Sequence, residues 1–281
     1  LAADNVAHNM VRTLFFSMGD ANKLKNRPKD VEKSEFKKIG ILGAGMMGAG
    51  IANVTAMAGL QVVLLDSTLE SAEKGKSYSE DLLNKAIKRK RMTEEKRDGI
   101  LGLIKPTVDY ADLDGCDMVI EAVFEDRTIK ADVTAKTEAV IAADAIFASN
   151  TSTLPITGLA EASARPANFI GLHFFSPVDK MPLVEIIMGE KTGDVALARA
   201  MDFVKRIRKT PVVVNDSRGF YTSRVFATYV AEGLALLGEG VKPALIENAG
   251  RMAGMPVGPL ALADEVSLTL MQHVATQTKA D

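Results

Sequence analysis

From Lys38 onward the apolar residues fall into short runs separated by longer stretches in which they recur at helical spacing. The runs are Ile39–Leu42, Gln61–Leu65, Met118–Val123, Ile146–Ser149, Phe169–Leu172, Leu183–Met188 and Pro211–Val214. Near-continuous apolar runs of this length read as strands covered on both faces, and helical patterns between several of them predict a mostly parallel sheet. The expected fold class is therefore α/β, a Rossmann-type sheet with helices on both faces. After Asn215 the strand signals stop. Phe220–Leu237, Pro243–Met252 and Pro259–Met271 carry helical patterns, punctuated by Gly238, Gly240, Gly254 and Pro256. Ahead of the first strand, Val6, Met10, Val11, Leu14 and Phe15 predict a helix within residues 1–17, and the charged stretch Gly19–Lys38 predicts a linker. This gives three parts: a helix and linker over 1–37, an α/β domain over 38–214, and a smaller all-helical domain over 215–281.

Composition narrows the function classes. The 281 residues hold 34 Lys or Arg and 36 Asp or Glu, a formal charge of −2, which argues against a nucleic-acid binder built on bulk positive charge. The single cysteine, Cys116, excludes an internal disulfide and a cysteine metal cluster, and fits a reducing compartment. No apolar run approaches the roughly 18 residues of a membrane span, and the first residues lack the pattern of a signal peptide. The expectation is a cytoplasmic chain with no membrane span and no metal.

The sharpest local signal is Gly43-Ala44-Gly45-Met46-Met47-Gly48, a G-x-G-x-x-G directly after a predicted strand and opening a predicted helix. In that context Gly43 allows a tight turn, Gly45 lets backbone approach a pyrophosphate, Gly48 lets helix and strand pack closely, and the helix N-terminus offers N–H groups to the anion. Met46 and Met47 are counted with them in the cofactor-binding loop. Asp66 closes the next strand, where a dinucleotide fold places an acid on the adenosine ribose, so NAD is expected in preference to NADP. A cofactor of this kind needs a proton acceptor beside the substrate. Of the three histidines, His8 and His273 read as solvated or packing residues, whereas His173 ends the apolar strand NFIGLH. Glu185 lies inside the apolar run LVEIIM, where a carboxylate needs a partner. A strand, loop, strand return over that spacing is expected to bring it to His173, where the carboxylate would fix the imidazole tautomer and stabilise its protonated form. Asn150, Thr151 and Ser152 follow directly on a predicted strand, the place where open α/β sheets bind ligands; a cap for the turn at Thr153–Pro155 is the alternative. The polar helix Ser71–Met92 ends in five basic side chains between Lys85 and Arg91, read either as a solvated face or as a docking face for a phosphate-bearing substrate.

Together with Asp66 and the glycine loop, the strings Ser149-Asn150-Thr151-Ser152-Thr153, His173-Phe174-Phe175-Ser176-Pro177, Met181-Pro182-Leu183-Val184-Glu185 and Gly219-Phe220 before Arg224 resemble the L-3-hydroxyacyl-CoA dehydrogenases over roughly residues 38–281. The leading segment resembles the piece that joins hydratase and dehydrogenase halves in multifunctional fatty-acid β-oxidation enzymes. The resemblance implies NAD-dependent oxidation of an acyl-CoA thioester, with His173 as general base and Glu185 holding it. It implies Ser152 on the substrate oxygen, Asn150 by the nicotinamide and thioester, and Glu125 and Lys130 lining the nicotinamide ribose. It also implies a homodimer through the helical domain, which is shorter here than in the family, and a thiolase partner in a β-oxidation complex. One position departs: the family has Asn before the Arg of Gly-Phe-x-x-Asn-Arg, and here it is Ser223. Serine is shorter and reaches a substrate oxygen less directly, so a slower enzyme is expected. The alternative reading is an NAD-binding module with weakened or no catalysis.

Overall fold

In the computed structural model, which describes residues 5–266, the strands are β1 (Lys38–Leu42), β2 (Gln61–Leu65), β3 (Ile104–Thr107), β4 (Met118–Glu121), β5 (Ile146–Ser149), β6 (Phe169–Phe174), β7 (Leu183–Met188) and β8 (Thr210–Asn215). They form one sheet in the order β3-β2-β1-β4-β5-β6-β7-β8. Every neighbouring pair is parallel except β6 with β7. The chain works outward from β1 to β3 and then crosses back to β4, so the order reverses between β1 and β4, where open α/β sheets bind ligands.

The helices of this part are α1 (Asn5–Val11), α2 (Met18–Asn22), α3 (Met46–Met57), α4 (Leu69–Lys88), α5 (Glu94–Gly102), α6 (Arg127–Glu138), α7 (Ile156–Leu159) and α8 (Asp194–Arg206). With helices over both faces, β1, β4, β5 and β6 are buried almost throughout, which is why they read as unbroken apolar runs. The core runs from Ile39 and Ile41 through Ile120, Ala148 and Leu172 to Phe203 and Val204.

Local chemistry sets several boundaries that periodicity did not. Strand β3 was not expected, because Pro106 interrupts it; as the edge strand it tolerates proline, which has no N–H to give to a ladder. Strand β4 stops at Glu121 rather than Val123, because the Glu121 carboxylate takes the Val123 N–H at 2.8 Å. Helix α4 starts at Leu69, where the Thr68 hydroxyl accepts from Ser71 N, and it ends at Lys88, with Lys90 at φ +56°. The basic run therefore straddles a helix end, and all five of its side chains are exposed.

Contacts divide the chain into two units, residues 1–216 and 217–281. The leading segment belongs to the first unit instead of standing apart. Its helix continues past residue 17 through π-type turns over Arg12–Ser17 into α2, and Asn22 accepts a hydrogen bond from Thr210 at 3.0 Å. Beyond it, the Arg27 fork grips Asp202 of α8 at 2.7 and 2.8 Å, and the Phe36 ring meets Phe203 edge-on at 5.7 Å. The second unit packs α9 (Thr222–Gly238), α10 (Pro243–Met252) and α11 (Pro259–Val266) around Val230, Ile246 and Ala263. There Glu247 caps α11 by accepting from Leu260 N at 2.8 Å, and Tyr229 donates to the Val257 carbonyl at 3.0 Å. His273 and the last residues of the helix predicted over Pro259–Met271 lie outside the described residues.

Burial pushes the Asp202 carboxyl up, but hydrogen bonds from Arg27 and the Ser34 N–H, with the Arg27 charge, outweigh it and hold the group below its usual range. Asp202→Ala takes the carboxylate from the Arg27 fork and from Ser34 N and should destabilise the protein by about 2 kcal/mol in urea titrations. In the parent, because the folded value is depressed, this contribution is complete above the ordinary aspartate pKa of about 4 and fades as pH falls through the folded value.

Candidate active site

The glycine loop leaves β1 and turns sharply at Gly43, whose φ of +88° suits glycine. A Cβ there would stand 2.6 Å from the Ala122 carbonyl oxygen, and one at Gly48 would run into the Gly43 carbonyl. Beside Gly45, by contrast, a Cβ would meet nothing within 4 Å. The loop thus closes tightly on its protein side and stays open at the one glycine expected to face a pyrophosphate. Gly45 caps α3, which presents the free N–H groups of its first turn. A cleft of about 420 Å³ opens here, lined by Gly45, Met46, Asp66, Ser71, Lys74 and Tyr78. Met46 is 68% exposed along it, whereas Met47 packs against the core.

Asp66 does more than the sequence suggested. Its Oδ2 accepts from Ala44 N at 2.6 Å and its Oδ1 from Ser67 N at 2.6 Å, so it buttresses the glycine turn from the end of β2. A carboxylate has about four acceptor positions, which leaves capacity for ribose hydroxyls. Open space at Gly45, an anion-ready helix end and an acid at the strand end fit a dinucleotide.

At β6, His173 and Glu185 stand directly opposite each other in the one antiparallel ladder of the sheet. His173 Nδ1 lies 2.8 Å from Glu185 Oε2; Glu185 is wholly buried, and the imidazole also packs on Phe175 at 4.5 Å between centroids. The side chain of Asn150 reaches the same strand end, accepting from Phe174 N at 2.9 Å, while its own N–H donates to the Glu121 carbonyl at 2.7 Å. Asn150 therefore stitches together the ends of β4, β5 and β6.

A second cluster of charges sits at the end of β4, two strands over from β6. Lys130 of α6, 2% exposed, places Nζ 2.8 and 3.0 Å from the two Glu121 oxygens and 3.1 Å from Glu125 Oε2. Ser149 donates to Glu121 at 2.7 Å. Glu125 accepts from the Thr151 hydroxyl and from Ser152 N at 3.2 Å. Burial raises the Glu125 pKa, yet the Lys130 charge and these hydrogen bonds more than offset it and keep the carboxyl below its ordinary value. Lys130, expected to line a ribose, is buried here and holds Glu125, and through it the Thr151–Ser152 turn. Ser152 is exposed at that turn. Glu121 was missed, although an acid inside the apolar run MVIEAV carries the same signal that singled out Glu185.

Ser223 lies in the second unit, half-buried in the first turn of α9. The preceding turn is tight, with Gly219 at φ +72° and the buried Phe220 at φ +49°, and Arg224 Nη1 lies 3.4 Å from the Ser217 hydroxyl.

Fold and glycine loop are those of a Rossmann-type dinucleotide-binding protein. Residues 38–217 match the family described as "3-hydroxyacyl-CoA dehydrogenase, NAD binding domain", and residues 219–281 match its C-terminal domain. The chain belongs to the 3-hydroxyacyl-CoA dehydrogenase family. It is 41% identical over 259 residues to the fatty acid oxidation complex subunit alpha of Shewanella halifaxensis, covering 92% of this chain and 36% of that protein. The chain thus spans about a third of the length of the curated relatives it matches. Among solved structures, the (S)-3-hydroxybutyryl-CoA dehydrogenase of Ralstonia eutropha superposes with a TM-score of 0.83 at 36% identity, covering 88% of this chain and 89% of that one. The 3-hydroxybutyryl-CoA dehydrogenase of Escherichia coli gives 0.82 at 31% identity, over 88% of this chain and 54% of that one.

Two substitutions separate the roles of the loop glycines. Gly45→Ala should leave stability within about 0.5 kcal/mol of the parent but weaken NADH binding by about tenfold or more, read by fluorescence titration. Gly48→Ala should instead destabilise the fold by about 2 kcal/mol in urea unfolding, because its methyl group collides with backbone.

Proposed function

We propose that the chain catalyses NAD-dependent oxidation of L-3-hydroxyacyl-CoA to 3-oxoacyl-CoA in fatty-acid oxidation. The observation that carries this reading is the buried His173–Glu185 pair at 2.8 Å, on the same sheet as the dinucleotide loop. Gly43, Gly45, Met46, Met47 and Gly48 form the loop for NAD, with Asp66 on the adenosine ribose and Glu125, held by Lys130, at the nicotinamide side. Bound NAD supplies the hydride acceptor. With Nδ1 committed to Glu185, His173 takes the proton of the 3-hydroxyl at Nε2 as the C3–H bond breaks and the carbonyl forms. The buried carboxylate stabilises the imidazolium that results. Ser152 hydrogen-bonds the substrate oxygen, Asn150 orients the thioester, and Ser223 stands where the family has Asn.

The exposed cations at the end of α4, from Lys85 to Arg91, are the proposed contact for the CoA phosphates. A homodimer through the helical unit is supported by its exposed apolar side chains, among them Leu245 at 62% and Met252 at 88%. A thiolase partner is supported by the relatives named as subunits of a fatty acid oxidation complex. The proposed compartment is the cytoplasm, in keeping with one buried thiol, Cys116, which burial pushes up to about 12. Among the described residues no helix is long and apolar enough to cross a membrane. Family membership and the assembled His–Glu pair favour an enzyme over a non-catalytic NAD-binding module.

The test is NADH oxidation with acetoacetyl-CoA by the purified chain. His173→Ala should lower kcat by about 10³-fold and Glu185→Gln by about 10²-fold, with NADH affinity retained in both. Ser223→Asn should raise turnover. Unchanged turnover in Glu185→Gln would remove the pair from the mechanism, and NADH binding without turnover in the parent and in Ser223→Asn would favour the non-catalytic module.

A further inference from the structure

Residues 175–182 carry the chain from the end of β6 back to the start of β7, the two strands whose ladder places His173 opposite Glu185. The segment has little structure of its own: Lys180 N and Met181 N both donate to the Pro177 carbonyl at 3.0 Å, a single turn. Lys209, just before β8, fastens it from below. Only 6% exposed, it donates from Nζ to the Val178 carbonyl at 2.6 Å and the Met181 carbonyl at 2.5 Å. The next N–H, that of Thr210, takes the Pro182 carbonyl at 2.8 Å. Two consecutive residues thus hold three carbonyls of one short segment.

On its other side the segment leans on the elements that form the nucleotide cleft. Val178 lies so close to α3 that a Cβ at Gly50 would be 2.8 Å from its own Cβ. The Ser176 hydroxyl is 3.7 Å from Met46 Sδ, and Tyr78 of α4, which lines the cleft, donates to Asp179 at 3.3 Å. An ammonium is costly to bury, and burial pushes Lys209 down, with Asp179 only partly opposing it. A methionine would fill the same space without that penalty, so simple packing does not call for lysine here.

We propose that Lys209 is a positioning residue for the dehydrogenation: it clamps the β6–β7 segment between α3 and the His173–Glu185 pair and fixes the angle of the base to the cofactor site. This rests on the function proposed above. Misplacement of a reacting group by about 1 Å can lower a rate by about 10²-fold. Lys209→Met should therefore reduce kcat about 10- to 100-fold while the NADH dissociation constant stays within about twofold. Lys209→Arg keeps the charge on a longer, planar fork and should lose only about threefold.

Hydrogen exchange is read on the same proteins. The amides of Lys180 and Met181 should exchange at least about tenfold faster in either variant, with those of β1 and β4 unchanged. Turnover at the parent level in Lys209→Met, or a parallel loss of NADH affinity, would overturn the proposal. If the methionine chain does not fold, Lys209→Arg decides: lowered kcat with NADH affinity kept supports the clamp, and unchanged kcat refutes it. Absent turnover in the parent strikes the dehydrogenase reading instead, and the exchange arm then tests the clamp on its own.

Discussion

A fully buried carboxylate in the middle of a strand is the constraint around which the proposed site is organised. Glu185 sits at 0% exposure, and an ionised carboxylate there needs a partner that is itself charged or strongly hydrogen-bonding. The partner comes from the sheet's single antiparallel step. Because β7 runs back along β6, residues directly opposite bring their side chains together on one face, and His173 is the residue opposite Glu185. The single reversal between β6 and β7 thus sets His173 against Glu185 at the end of β6, on the side where a dinucleotide fold takes its ligand.

The same logic repeats at β4, with a lysine in place of the histidine. Glu121 and Lys130 are both almost wholly buried, and the half-exposed Glu125 shares the ammonium. This cluster has a mechanical consequence. Through Glu125 it fixes the Thr151 hydroxyl and the Ser152 backbone, and through Ser149 it ties β5 to β4. Asn150 then carries the connection to β6. Three neighbouring strand ends are locked by side chains rather than by their ladders alone, which suits a site whose parts come from separate loops.

Much of this was legible in the sequence because it depends on local pattern. Covered strands read as apolar runs, the glycine spacing marks a tight turn between strand and helix, and a carboxylate inside LVEIIM announces a buried partner. What was not legible depends on tertiary context. The strand with Pro106 could be recognised only once its edge position was known. Asp66 reads as a ribose acid, but its bond to Ala44 N exists only because β2 lies beside β1. The burial of Lys130 and Lys209 was not foreseen, because a lysine's burial leaves no periodic trace when its partners are a distant carboxylate or loop carbonyls. The leading segment looked like a linker because it is charged; the fork of Arg27 on Asp202, far away in sequence, is what docks it.

In the proposed mechanism Glu185 fixes His173 with its proton on Nδ1 and presents Nε2 for chemistry. Nitrogen-15 NMR of the imidazoles tests this most directly, with the His173 resonance identified by its loss in His173→Ala. In the neutral ring the Nδ1–H tautomer is expected in the parent, with a weakened preference for it in Glu185→Gln. A neutral His173 protonated on Nε2, or a tautomer indifferent to Glu185→Gln, would contradict it.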